Sequence, residues 1–166
     1  MATTFAAIAT ATLTSSSGLI QFSSIPQSFK HLWITGMAKS NDSSRYMRMA
    51  INGSNGASYN DAEFYGPSSG NPVQYGFRNG VYSLGVSESQ NNWGGVDICI
   101  PNYSNTSNFK PYLFRVNFLT FDTVGSNQNV FGGAYEEYNA AVTSLGFFFS
   151  AGTMAPGTKF TLYGLS

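Results

Sequence analysis

The sequence predicts an all-β protein, an antiparallel β-sandwich of jelly-roll type formed as a single domain over residues 1–166. Three observations point there. Apolar residues recur at a two-residue spacing in many short stretches, while helical periodicity is weak. Turn-forming clusters of Gly, Asn, Ser and Pro separate those stretches. Charged residues make up only 10% of the chain and aromatics 16%, so the strong helix formers Glu, Lys, Arg and Gln are scarce, and aromatic residues between small polar ones suit strands.

Phe5 to Leu13 reads as the first strand, with Ser15-Ser16-Ser17-Gly18 as a turn. Leu19, Ile20 and Phe22 begin a second, ended by Ile25-Pro26. Leu32, Ile34 and Gly36 alternate with Trp33, Thr35 and Met37, and Met47, Met49 and Ile51 with Tyr46, Arg48 and Ala50. Asn52-Gly53-Ser54-Asn55-Gly56 is a turn, because Asn and Gly tolerate positive φ. The Gly-, Pro-, Asn- and Ser-rich stretch from Gly66 to Gly80 reads as a long surface loop, with a strand at Val81 to Val86. Val96, Ile98 and Ile100 form a strand closed by Pro101, and Lys110 to Phe121 forms one long strand. Gly125 to Gly133 reads as loop, and Tyr135 to Ala141 as a short helical turn. Leu145, Phe147 and Phe149 form a strand, and Phe160, Leu162 and Gly164 form the last. Eight or more short strands with no helix for βαβ crossovers favour a sandwich over a parallel α/β fold. A chain of 166 residues buries about 70% of its unfolded surface, enough for one core.

Eight basic and eight acidic residues balance to zero charge. No Lys/Arg stripe is present, which argues against nucleic acid as partner. A weakly charged surface has poor colloidal protection and suits a protein covered by neighbours. Cys99 is the only cysteine, so a small secreted disulfide framework is excluded. The Ala-rich start, Met1 to Gly18, lacks the basic region and unbroken apolar run of a signal peptide. No apolar run is long enough for a membrane helix.

Catalytic chemistry finds little support. Nucleophilic triads need a histidine base. The single histidine, His31, reads as a strand-start residue bonded to backbone or water, and no second histidine or nearby cysteine offers a zinc site. Cys99 has the wrong parity to share a face with Val96, Ile98 and Ile100. The acids Asp42, Asp61, Glu63, Glu88, Asp97, Asp122, Glu136 and Glu137 are scattered, and the adjacent Glu136 and Glu137 read as a solvated turn. A glycosidase pair is therefore not expected, and Asp42, Asp61 and Asp122 read as turn residues rather than as a calcium site. Gly53-Ser54-Asn55-Gly56 lacks the Lys and Ser/Thr of a phosphate loop. The sequons at Asn52, Asn102 and Asn105 read as turns. The expectation is no enzyme, no cofactor and no metal.

Several segments, taken in order, resemble a family. Ile20-Gln21-Phe22-Ser23-Ser24-Ile25-Pro26-Gln27-Ser28-Phe29-Lys30-His31-Leu32 matches an "F-S-S-I-P-Q-T-Y-x-x-L" stretch that follows an N-terminal hairpin. Asn52-Gly53 with Tyr59, Val96-Asp97-Ile98 followed by Asn102-Tyr103-Ser104-Asn105-Thr106, and Ala141-Val142-Thr143-Ser144-Leu145 match further motifs. Phe160-Thr161-Leu162-Tyr163-Gly164-Leu165 resembles an "F-x-L-Y-G-I" end. Each motif is weak alone, but their order and spacing from Phe5 to Leu165 resemble single-domain virion proteins of tailed bacteriophages. The resemblance implies a jelly-roll or sandwich structural domain and carries over no catalytic residue.

Trp33 and Phe148 depart from that family, which tends to place polar residues there. Alternation sets Trp33 opposite Leu32 and Ile34, and Phe148 opposite Phe147 and Phe149. Strands apolar on both faces have both faces covered, either by a loop such as 66–80 or by a neighbouring subunit. Trp33, Phe148 and Tyr163 are the expected interface residues. The chain is expected to carry neither a fibre shaft nor an attachment domain. It is therefore expected to be a capsid decoration (cement) protein of the virion, a homo-oligomer, as a trimer, bound to the major capsid protein. The alternative is a tail or fibre adhesin that binds host-surface glycan through loop aromatics such as Tyr65, Tyr75 and Trp93.

Overall fold

The computed structural model describes residues 5–42, 47–54, 59–67, 75–79, 93–119, 127–136 and 139–166. It is all-β, and every strand pair is antiparallel. In chain order the strands are β1 (Phe5–Thr12), β2 (Ile20–Phe22), β3 (His31–Ala38), β4 (Met47–Ile51), β5 (Tyr59–Pro67), β6 (Tyr75–Asn79), β7 (Gly94–Pro101), β8 (Lys110–Leu119), β9 (Asn127–Glu136), β10 (Leu145–Phe149) and β11 (Lys159–Leu165). An eight-stranded sheet has the order β1-β11-β3-β7-β8-β9-β5-β6, and a three-stranded sheet the order β2-β10-β4. The antiparallel sandwich is as expected. The eight-plus-three division does not by itself identify a jelly roll.

Alternation explains which face each strand buries. Leu32 and Ile34 of β3, Val96, Ile98 and Ile100 of β7, Tyr112, Phe114 and Val116 of β8, and Phe160 and Leu162 of β11 all turn inward. The small sheet contributes Ile20, Phe22, Met47, Met49, Ile51, Leu145, Phe147 and Phe149 to the same core. Phe147 stacks on Phe160 with ring centroids 4.5 Å apart, joining the two sheets. In β1 the register shifts between Ala7 and Ala9. The extra residue, Ile8, packs against the core, and this bulge switches the inward positions from Ala6 and Ile8 to Ala9 and Ala11.

Close approach of neighbouring side chains explains two glycines. A Cβ at Gly36 would lie 2.4 Å from the Phe160 ring and 2.5 Å from the Lys159 carbonyl. A Cβ at Gly164 would lie 2.3 Å from the Phe29 ring. Lys110 is 1% exposed, yet its ammonium donates to the carbonyls of Asn105, Asn108 and Asn139. Those bonds satisfy a charge that burial alone would strongly disfavour.

Several segments differ from expectation. The first two strands do not form a hairpin: β1 pairs with β11 and β2 with β10. The stretch 66–80, expected as loop, contains the end of β5 and all of β6. Most of 125–133, also expected as loop, belongs to β9, as do Tyr135 and Glu136, so the helical turn does not begin there. These strands have few apolar residues, and partners on both sides of β9 supply its stabilisation. The expected strand at Val81 to Val86 lies outside the described residues.

Candidate functional site: the outer face of the large sheet

Directly paired residues of an antiparallel sheet share a face, so register lays out the outer surface in rows. One row runs Thr161, Thr35, Asp97, Arg115, Phe131 across β11, β3, β7, β8 and β9. The next runs Tyr163, Trp33, Cys99, Leu113, Gly133 over the same strands. Beyond it lie Leu165, His31 and Pro101. The first row is polar and the others mostly apolar. The outer face is therefore divided along the strand direction.

The apolar half centres on Trp33. Phe5, 55% exposed, stacks on Tyr163 at 4.6 Å and meets Trp33 edge-on at 6.0 Å. Trp33 is thus covered in part by β1, a cover the sequence did not suggest. Its indole N–H donates to Asp97 Oδ1. Leu113 is 63% exposed in the same row. A hollow of about 530 Å³ runs past Trp33, Cys99, Leu113 and Leu165.

Arg115 lies 3.6 Å from the other Asp97 oxygen. Both side chains reach solvent, so the pair contributes little to stability. It fixes the carboxylate between two donors. Cys99 faces outward as its parity predicts, and burial, then the Asp97 charge, pushes its thiol above the ordinary range. The polar half holds a wider groove of about 860 Å³ lined by Thr35, Asp97, Arg115, Asn117, Phe131 and Tyr163 among others.

Two of the three expected interface residues, Trp33 and Tyr163, are thus direct neighbours. The third is not with them. Phe148 pairs with Arg48 on the opposite side of the sandwich, on the outer face of the small sheet. There it lines a hollow of about 330 Å³ with Leu19, Gln21 and Ala50. Opposite parity on two sheets separates these residues, and no single flat contact includes all three.

The remaining candidates are dispersed. His31 Nδ1 accepts the Asn102 backbone N–H at 3.3 Å, in keeping with the backbone-bonded strand start expected for it. Asp42 accepts the Thr153 N–H at 3.2 Å. Asp61 and Glu63 belong to β5, and Glu136 ends β9 rather than lying in a turn. Glu88, Asp122 and Glu137 lie outside the described residues. Among the described residues no three His, Cys, Asp or Glu side chains gather as a metal site would require. The sequons are turns: Asn52 and Asn102 have φ of 52° and 49°, and Asn105 Oδ1 accepts the N–H groups of Ser107 and Asn108. Tyr65 and Tyr75 belong to strands β5 and β6, not to loops. Trp93 is 39% exposed, with the Lys39 ammonium 5.6 Å from its ring centre.

Sequence reasoning missed Phe5, Leu113 and Phe131 as surface residues. For Leu113 the signal was available, since parity sets it opposite Tyr112 and Phe114. For Phe131 it was not, because its segment reads as loop.

No family model matches this sequence, and no curated protein matches it. Among solved structures, one described as "Structure of infectious bursal disease virus Gx strain" aligns with 99% of this chain and 39% of that chain, at 16% identity and a TM-score of 0.25. This chain therefore spans well under half the length of the chain with which it aligns.

Proposed function

We propose that the protein is a structural component of a bacteriophage virion, a decoration protein that binds the outside of the head as an oligomer, as a trimer. One observation carries this reading: the sandwich has apolar side chains on both outer faces. Leu113 and Phe5 stand 63% and 55% exposed beside Trp33 and Tyr163, and Leu19 stands 47% exposed beside Phe148. Isolated antiparallel sheets keep their outer faces polar, and contiguous exposed apolar surface marks contact sites. Two such faces suit a subunit that touches both its own copies and the capsid surface. The motif order described above supports the same class. Stabilisation would follow from mass action, since a protein that binds only the assembled shell shifts the balance toward it.

The test is to label the protein on intact virions and image its position. Label over the icosahedral head is expected. Label confined to the tail would remove the decoration reading and favour an adhesin. A Leu113→Asp variant provides the second arm. Its monomer stability should change by no more than about 0.5 kcal/mol, as for an exposed site, while oligomer formation or head binding is lost. Unchanged assembly would exclude the Trp33 side of the large sheet as a contact.

A further inference from the structure

The polar half of the outer face has a composition that subunit packing does not explain. Asp97 is held by the Trp33 indole and by Arg115, yet a carboxylate has about four lone-pair positions, so acceptor capacity remains toward the groove. The Arg115 side chain is 65% exposed and has further N–H donors. Asn117 Oδ1 accepts the Gly95 N–H at 2.9 Å, which leaves its amide donors for the groove. The Thr35 hydroxyl, in the same row, has no protein partner among the described residues. Donors and acceptors thus stand side by side between two aromatic rings, Phe131, 52% exposed, and Tyr163, which Phe5 covers on one face. Four strand spacings of ~4.8 Å separate the β9 and β11 backbones that hold those rings, a span of ~19 Å.

We propose that this groove binds an uncharged oligosaccharide lying across the strands, its hydroxyls on Thr35, Asp97, Arg115 and Asn117 and its flat C–H faces on Phe131 and Tyr163. Sugar hydroxyls both donate and accept, which matches a row of alternating donors and acceptors. Other occupants fit less well. An extended peptide docks on a sheet by pairing with a free edge, and β11, β3, β7, β8 and β9 are all paired on both sides. Nucleic acid needs several cations, and this groove holds only Lys159 and an Arg115 that is paired with Asp97. A dry contact with a second copy would desolvate that ion pair, a cost its geometry does not offset. The site does not depend on where the protein sits in a virion, but it shares Tyr163, Asp97 and Arg115 with the apolar half beside it.

The chain has two tryptophans, Trp33 and Trp93, so the indole N–H signals in a ¹⁵N spectrum give one reporter bonded to Asp97 in the groove and one outside the groove lining. Cellohexaose, maltohexaose, mannohexaose and chitohexaose are titrated into the isolated protein at millimolar concentrations. At least one is expected to move the Trp33 signal saturably and leave the Trp93 signal in place. Arg115→Ala and Phe131→Ala should each weaken that binding by roughly tenfold, the loss of one charged hydrogen bond or one stacking surface. Both residues are exposed, so the variants retain the fold, checked by their unchanged spectra elsewhere. Three results overturn the site: no saturable shift with any hexaose, binding that moves Trp93 instead, or binding indifferent to both substitutions. Self-association lost in Arg115→Ala, without a sugar response, would assign the face to a second copy.

Discussion

Asn52 has a φ of 52° and Gly53 a φ of 76°, the left-handed pair that a tight turn after β4 requires. The Asn52 side chain then reaches the segment before β10, the neighbouring strand of the small sheet. Its Oδ1 accepts the N–H groups of Thr143 and Ser144 at 2.8 and 3.1 Å, and its Nδ2 donates to the Ala141 carbonyl at 2.8 Å. Those bonds anchor the segment that leads into β10. Asn52→Gly should lose the bonds alone, at about 2 to 3 kcal/mol for a cluster of this size. Asn52→Ala should lose about 1 kcal/mol more, because alanine pays for the left-handed backbone. Urea unfolding of the two variants measures the difference. The turn was legible in the Asn-Gly pair. The anchoring was not, since its partners lie some 90 positions away.

Cys99 gives a pH signature at the same scale. Burial, then Asp97, disfavours its thiolate in the folded protein, so its folded pKa lies above the ordinary 9.0. Above pH 9 the unfolded chain loses the thiol proton while the folded chain keeps it. The stability contributed by the neutral thiol is therefore fully present below the unfolded value and is lost as pH rises through the folded one. Melting temperatures recorded from pH 7 to 10 should fall more steeply for the native protein than for Cys99→Ser. Parallel curves would contradict this.

Among the elements, the neighbouring strands β3 and β11 show how tightly side chains are set within the large sheet. Gly36 admits the Phe160 ring and the Lys159 carbonyl where a Cβ would stand. Gly36→Ala should destabilise by about 1 to 3 kcal/mol, the usual cost of overpacking. Gly18, with nothing within 4 Å of its Cβ position, is a matched control: Gly18→Ala should be nearly neutral in thermal unfolding. Strands β3, β7, β10 and β11 were readable because their inward residues are large and apolar at strict alternation. Strand β9 was not, because Asn127–Glu136 carries two glycines and several polar residues. Its pairing with β8 along ten positions, and with β5 on the other side, makes it a strand. Intrinsic preference does not report such partners.

At the level of the whole molecule, the chain closes on itself across its full length. Phe5 pairs with Leu165, and β1 lies beside β11. Few such contacts form without ordering most of the intervening chain, so folding should take milliseconds to seconds, as for other sheets dominated by non-local pairing. Stopped-flow refolding with tryptophan fluorescence would reveal it, and a microsecond phase that recovers the full signal would contradict it.

The all-β class, the inward residues of most strands and the outward parity of Trp33, Cys99 and Tyr163 follow from the sequence alone, because alternation and turn chemistry act between neighbours in the chain. Which strands share a sheet, that Phe148 faces away from Trp33, and that Asp97 meets both Trp33 and Arg115 depend on pairing between segments far apart. Only the tertiary structure decides these, because register and strand order are set by the summed burial of whole sheets and by no local preference.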